Sequence, residues 1–236
     1  MRNFMKTKSA AILLWMFFSF SFCIAENFTE EERFFLSSDD EIKKEFYSCE
    51  ISDEIFSRMK GKTYKENCTV PLSSLNYLHI LHWGKNGEVL EGEMVCSSKI
   101  STVLLEIFFL LYKNEYVIEK VRLADDYNAV DELSMQDNNT SCFNFRCISN
   151  TNKISMHGLG LAVDINPLYN PYIKTTGTKT VIEPAGAEEF TDRAKDFPMK
   201  ITHRDLAYKL FTERGFEWGG DWKNLKDYQH FEIDLK

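Results

Sequence analysis

Ser155-Met156-His157-Gly158-Leu159-Gly160-Leu161-Ala162-Val163-Asp164-Ile165 is the stretch from which the rest of the chain can be read. Side chains alternate between faces along a strand. Leu161, Val163 and Ile165 are therefore expected to face a core, and Ala162 and Asp164 to face away, with Gly160 behind them. The face with the carboxylate is built of the smallest residues, which leaves room there for a metal or a substrate backbone. His157 precedes the glycines, in a turn that can fold back over the same face.

The C-terminal end repeats the pattern. Phe231, Ile233 and Leu235 alternate with His230, Glu232 and Asp234, so His230 is expected on the polar face of a final strand. Asp227 stands three residues earlier, in the preceding turn. Two histidines and one carboxylate make a three-ligand zinc site with one tetrahedral position open. Zinc in such a site lowers the pKa of water toward ~7. A second carboxylate, Asp227, could take the proton. Taken singly, each residue has a plain structural reading, as an exposed histidine or a turn cap. Their joint placement on two strands with bare polar faces favours a site. HExxH is absent, and so is CxxC, which removes a thiolate site. His79 and His82 fall on opposite faces of one strand and are read as structural. His203 opens a helix, where positive charge is disfavoured, and is read as surface.

Before this region, Leu75–Trp83 reads as a strand, Gly84-Lys85-Asn86-Gly87 as a turn, and Glu88–Cys96 as the returning strand. Ser97 or Ser98 can cap a helix whose apolar stripe is Ile100, Val103, Leu104, Ile107, Phe108 and Leu111. Tyr116–Leu123 reads as a strand. Residues 124–154 lack periodicity, and a loop that long usually has a function. Leu161–Ile165 is a strand. Thr202 starts a helix, with Asp205 completing a capping box and Gly215 ending it. This order of strands and helices predicts an α+β fold with an antiparallel sheet and flanking helices.

The chain has 236 residues, with 44% hydrophobic and 27% charged residues, the composition of a globular protein. Residues 1–25 have Arg2, Lys6 and Lys8, no acid, and an apolar run from Ala10 to Ala25. This describes a secretory signal peptide; an uncleaved membrane anchor is the alternative, although the run is short for a span. Its removal takes three positive charges and moves the net charge from −8 to −11. A chain this acidic is a poor partner for nucleic acid. Any membrane contact would come only through the signal segment. Residues 26–71 read as a charged, partly helical N-terminal extension, and residues 72–236 as the catalytic domain. Five cysteines remain beyond the signal, and Cys49–Cys68 and Cys142–Cys147 are possible pairs.

Ser155-x-His157-x-x-Gly160-x-Ala162-x-Asp164, followed by Asp227-x-x-His230-Phe231-Glu232, resembles the family of zinc D-alanyl-D-alanine carboxypeptidases and L-alanyl-D-glutamate endopeptidases. Asp rather than Glu ahead of the last His is similar to the endopeptidase branch. Asn139-Thr140-Ser141-Cys142-Phe143-Asn144-Phe145-Arg146, Asn166-Pro167 with Asn170-Pro171-Tyr172, and Trp218-Gly219-Gly220-Asp221-Trp222 extend the resemblance over residues 72–236. It implies the fold shared by D-Ala-D-Ala peptidases and the hedgehog signalling domain. It implies one zinc per chain on His157, Asp164 and His230, with Asp227 as catalytic base. Arg146 would bind the scissile carbonyl or a substrate carboxylate, Ser155 would hydrogen-bond nearby, and Asp221 and Trp222 would flank the pocket. Cys142 and Cys147 depart from the family pattern. A disulfide between them would rigidify the arginine loop, and a free thiol could compete for metal. The implied substrate is a peptidoglycan stem peptide, met in the periplasm, the cell envelope or outside. The implied reaction is foremost D-alanyl-D-alanine carboxypeptidase; the alternatives are an L-alanyl-D-glutamate endopeptidase and a non-catalytic zinc-containing binding module. Asp227 and Arg146 together speak against the binding module.

Overall fold

The hairpin expected around Gly84–Gly87 organises the first half of the molecule. The computed structural model describes residues 40–148 and 151–235; the expected signal segment lies outside them. The chain divides into two units, residues 1–44 and 45–236. Of the first, residues 40–43 are helical. The boundary expected at residue 72 falls inside the second unit.

In the second unit, β1 (Tyr47–Glu50) pairs antiparallel with β2 (Leu75–Trp83). Between them lies α1 (Asp53–Met59), whose N-cap Ser52 accepts from the Ile55 amide at 3.2 Å. β3 (Val89–Ser97) returns along β2 through the expected turn, which Gly84 N–H closes on the Glu88 carbonyl at 2.8 Å. Leu78, Ile80 and His82 bury one side of β2, the period-2 signature of a half-buried strand. On α2 (Ser101–Lys113), Leu104, Ile107, Phe108 and Leu111 are buried at helical spacing. The expected serine cap is not formed. The cap position is Ile100, while Ser97 Oγ accepts from Lys99 N–H at 3.4 Å and the Ser98 amide bonds the Ser74 carbonyl. Both serines are used in the turn that leaves β3.

The strand expected over Tyr116–Leu123 contracts to β4 (Lys120–Val121). Before it, Ile118 N–H bonds the Trp83 carbonyl and Glu119 N–H bonds the Asn166 side chain, so these amides have partners outside a ladder. The unpatterned segment after it holds a 3-10 turn (Ala124–Tyr127), α3 (Asp131–Gln136) and β5 (Asn139–Thr140). β5 pairs parallel with β4.

The remaining elements are β6 (Ala162–Asp164), β7 (Tyr172–Thr176), β8 (Lys179–Glu183), α4 (Leu206–Thr212), β9 (Glu217–Trp218), β10 (Lys226–Asp227) and β11 (His230–Glu232). They form two antiparallel sheets, ordered β6-β11-β9 and β10-β7-β8. The expected single sheet is thus several small ones in a mixed α+β unit. The capping box at Thr202 is also displaced. Asp205 is itself the N-cap of α4, with Oδ1 accepting from Ala207 N–H at 2.8 Å. A carboxylate needs only the free amides of a first turn, so it can cap as readily as threonine.

The core joins the two halves. Val163, Ile165, Phe211 and Phe231 are fully buried with Leu104 and Phe108, and the Phe211 and Phe231 rings stack at 4.5 Å. Burying one such ring contributes about 1.5–3 kcal/mol. Leu235, expected to continue the apolar face of the last strand, is 42% exposed. The strand has ended at Glu232. Among the described residues, no helix is long and apolar enough to cross a membrane.

Candidate metal centre

β6 and β11 place the site. They run antiparallel with His230 directly opposite Asp164, so both side chains rise from one face. Phe231 and Val163, opposite each other, point into the core. His157 starts the 3-10 turn His157–Leu159 just before β6. Gly160 ends that turn in the left-handed region at φ +68°. A Cβ there would lie 2.6 Å from the Ser97 amide nitrogen, so only glycine lets β3 close over the turn. The space beside Gly160 is filled by the β3 backbone rather than left for a ligand.

Three donor atoms converge. His157 Nε2 lies 3.1 Å from Asp164 Oδ2, His230 Nδ1 lies 3.0 Å from Asp164 Oδ1, and the two ring nitrogens are 3.1 Å apart. Two ligands bound tetrahedrally to one ion at ~2.0–2.1 Å would be ~3.3 Å apart, so the spacing suits a shared cation. The outer ring nitrogens are held too. His157 Nδ1 faces the Cys142 carbonyl at 2.7 Å, and His230 Nε2 faces Glu232 Oε2 at 3.0 Å. Each outer nitrogen donates to its oxygen, which turns the lone pair of the inner nitrogen toward the centre. Both rings are about 95% buried. The group His157, Asp164 and His230 can hold a metal ion.

Burial would raise the Asp164 carboxyl, but the charge of His157 and the bonds to both histidines hold it far below the usual range. Burial lowers the His230 imidazole; the bonds to Asp164 and Glu232 outweigh it and bring it to about 10. Such a cradle binds positive charge.

Asp227 stands beside the group at the end of β10. Gly219 makes room for it, since a Cβ on Gly219 would meet the Asp227 backbone carbonyl oxygen at 2.6 Å and the Asp227 Cβ at 2.8 Å. Asp227 Oδ1 is shut off from solvent and has no hydrogen-bond partner among the described residues. Desolvation, offset by His230 and reinforced by Asp164 and Glu183, pushes its carboxyl up to about 7. Trp222 lies 5.3 Å from the His230 ring, while Asp221 Oδ1 lies 2.6 Å from His203 Nε2. His203 is exposed, as expected, and pairs with Asp221. His82, expected to be structural, is buried with Nδ1 on the Ile118 carbonyl.

Arg146 is already engaged by neighbouring protein groups. Its Nε pairs with Asp131 Oδ2 at 2.5 Å, and its Nη1 lies 3.4 Å from Ser155 Oγ. Ser155 Oγ also accepts from Gly158 N–H at 2.9 Å, so it ties the arginine loop to the His157 turn. All five described cysteines are free, with Cys142 buried and Cys147 exposed. Residues missed in sequence are Asp131, which claims Arg146, and Glu232 as the partner of His230. Glu232 carried a signal, since it shares a strand face with His230 at i+2.

No curated protein and no solved structure gives a significant match to the chain. Residues 149–233, which carry His157, Asp164, Asp227 and His230, match the family model described as D-alanyl-D-alanine carboxypeptidase. The match makes the C-terminal part of the chain similar to this family, which implies peptide substrates and a D-Ala-D-Ala-peptidase-like fold.

Proposed function

We propose that this chain is a zinc-dependent peptidase that acts after export on D-amino-acid-containing stem peptides of peptidoglycan. The observation that carries this reading is the convergence of His157 Nε2, Asp164 and His230 Nδ1, with each outer ring nitrogen held by an oxygen, inside the matched region. Two imidazoles and one carboxylate are a zinc donor set. When bound, the ion supplies a Lewis acid that activates water at neutral pH. Asp227 holds and moves the proton. Its buried carboxyl stands beside the donor group, placed to take a proton from water and return it to a leaving amine. Trp222 closes one side of the centre. Export rests on the pattern of residues 1–25.

The family description favours removal of a terminal D-alanine. The Arg146–Asp131 pair favours an internal cut as a second reading, because the guanidinium that would meet a terminal carboxylate is already neutralised. Incubation of zinc-loaded protein with an intact stem pentapeptide, followed by mass analysis, separates these readings. Loss of terminal alanine supports the carboxypeptidase, and an internal cut supports the endopeptidase. No cut with zinc retained points to a binding module. His157→Ala, Asp164→Ala and His230→Ala should each lose zinc and all turnover, because two ligands do not fix the geometry. Unchanged zinc content in all three removes the site.

A further inference from the structure

Beyond the metal centre, Arg146 pairs with Asp131, and two further carboxylates, Glu132 and Glu183, are close enough to feel this pair. Asp227 on β10 lies directly opposite Tyr172 on β7, and Tyr172 lies directly opposite Glu183 on β8. Opposed residues of antiparallel strands rise from the same face. Glu183 is therefore in one row with Asp227, two strands away, or ~10 Å. Its carboxylate makes no hydrogen bond or ion pair among the described residues. Two residues on, the Ala185 amide donates to Glu132 Oε1 at 2.7 Å, which fastens the end of the hairpin to α3. The neighbour of Glu132 is Asp131, the partner of Arg146. Asn144 Nδ2 holds the other oxygen of Asp131 at 2.7 Å. Burial, and then the charges of Glu132 and Asp131, push the Glu183 carboxyl above its usual range.

The sign of this rim is decided by arithmetic. Asp131, Glu132 and Glu183 bring three negative charges, and Arg146 brings one positive charge that Asp131 already engages. At the inner end of the row stands Asp227, whose buried Oδ1 has no hydrogen-bond partner among the described residues. The guanidinium of Arg146 draws the Glu183 carboxyl back down, against burial and the two neighbouring acids.

We propose that Glu183, with Asp131 holding Arg146, is a specificity-determining residue: it selects peptides that carry an ammonium group beside the scissile bond and disfavours a free terminal carboxylate. This rests on the peptidase reading and deepens it. The chemistry is Coulombic. A carboxylate some 7–10 Å from a bound charge, in partly desolvated surroundings, is worth a factor of about 5–10 in affinity. Attraction for a cation and repulsion of an anion come from the same group.

The test uses three peptides of one stem-like sequence, ending in a carboxylate, a neutral amide and an aminoethyl amide. Affinity is measured calorimetrically on the zinc-loaded protein, and kcat/KM is measured beside it. The expected order is cation, then neutral, then carboxylate, with about 5- to 10-fold per step. Glu183→Gln should flatten the order, and Glu183→Lys should reverse it. Glu183 is exposed, so both variants should fold. Equal affinity for all three peptides in the wild-type protein overturns the inference, as does an unchanged order in Glu183→Lys. Discrimination in binding with no product from any peptide keeps the inference and overturns the peptidase reading.

Discussion

The β6–β11 pair and the β7–β8 hairpin are both antiparallel strand pairs within three-stranded sheets, and they differ in almost everything else. In β6–β11, Val163 and Phe231 are fully buried, and both outer ring nitrogens of the histidines have fixed oxygens. In β7–β8, no residue from Tyr172 to Glu183 is buried. Its polar contact across the strands is Thr175 Oγ1 to Thr180 Oγ1 at 3.0 Å, in solvent. A donor triad must hold its geometry before an ion arrives, so it belongs on the packed pair. A group that selects substrates by charge must meet them, so it belongs on the exposed hairpin.

Asp227 links the two regions, and Asp227→Asn tests the division most severely. The amide keeps the size but cannot take a proton. Turnover should fall by ~10²–10⁴ while zinc remains bound. Zinc content, melting temperature and kcat, measured on one preparation, check this. Full zinc with near-normal kcat would show that another group is the base.

Chelation sharpens the contrast through pH. In metal-free protein, His230 is raised to about 10 and Asp227 to about 7. The His230 contribution is fully present below its unfolded value near ~6.5 and is lost as pH rises through 10. Asp227 acts in the same direction. Its ionisation begins to favour the unfolded chain above ~4, and the penalty is complete near 7. Chelated protein should therefore melt lower at pH 8 than at pH 5, each kcal/mol lost being worth about 2–4 °C in a chain of this size. Thermal scans with chelator across this range check it. A melting temperature that rises with pH would contradict these assignments.

The two regions were not equally legible in sequence. The triad could be read because a period of two assigns faces, and His157, Asp164 and His230 share a face with small or polar neighbours. The distance of 66 residues between Asp164 and His230 was no obstacle. Asp131 and Glu183 could not be read. They are two among 36 acids, and their approach to Arg146 depends on how α3 and the hairpin dock. The Thr202 start failed for a local reason, since Asp205 competes for the same cap. Within the expected extension 26–71, β1 and α1 could not be read, because a four-residue strand and a seven-residue helix are too short for a period to show.

Glu232 tests whether the packed pair works through its outer contacts. Glu232→Ala should weaken zinc affinity by ~10–100-fold, and Glu232→Gln by less, because the glutamine oxygen can still accept from His230 Nε2. Competition with a metal-binding dye measures it. Equal affinity in both variants and wild type would mean that packing alone orients the ring.

The smallest expected effect lies in the hairpin. Thr175→Ala removes the hydroxyl bond to Thr180 on an exposed cross-strand pair, where such contacts are worth about 0.2–1 kcal/mol. Water replaces the lost partner on both sides, so no buried group is left unsatisfied. The backbone register Thr175↔Thr180 is set by the turn and by neighbouring pairs, and it should survive. Zinc affinity should not change, because no atom of the pair touches β6 or β11. Denaturant midpoint and zinc titration on the variant check both halves of the statement. A loss of zinc affinity here would mean that the hairpin and the metal centre form one cooperative unit, and the separation of binding from selection would fail.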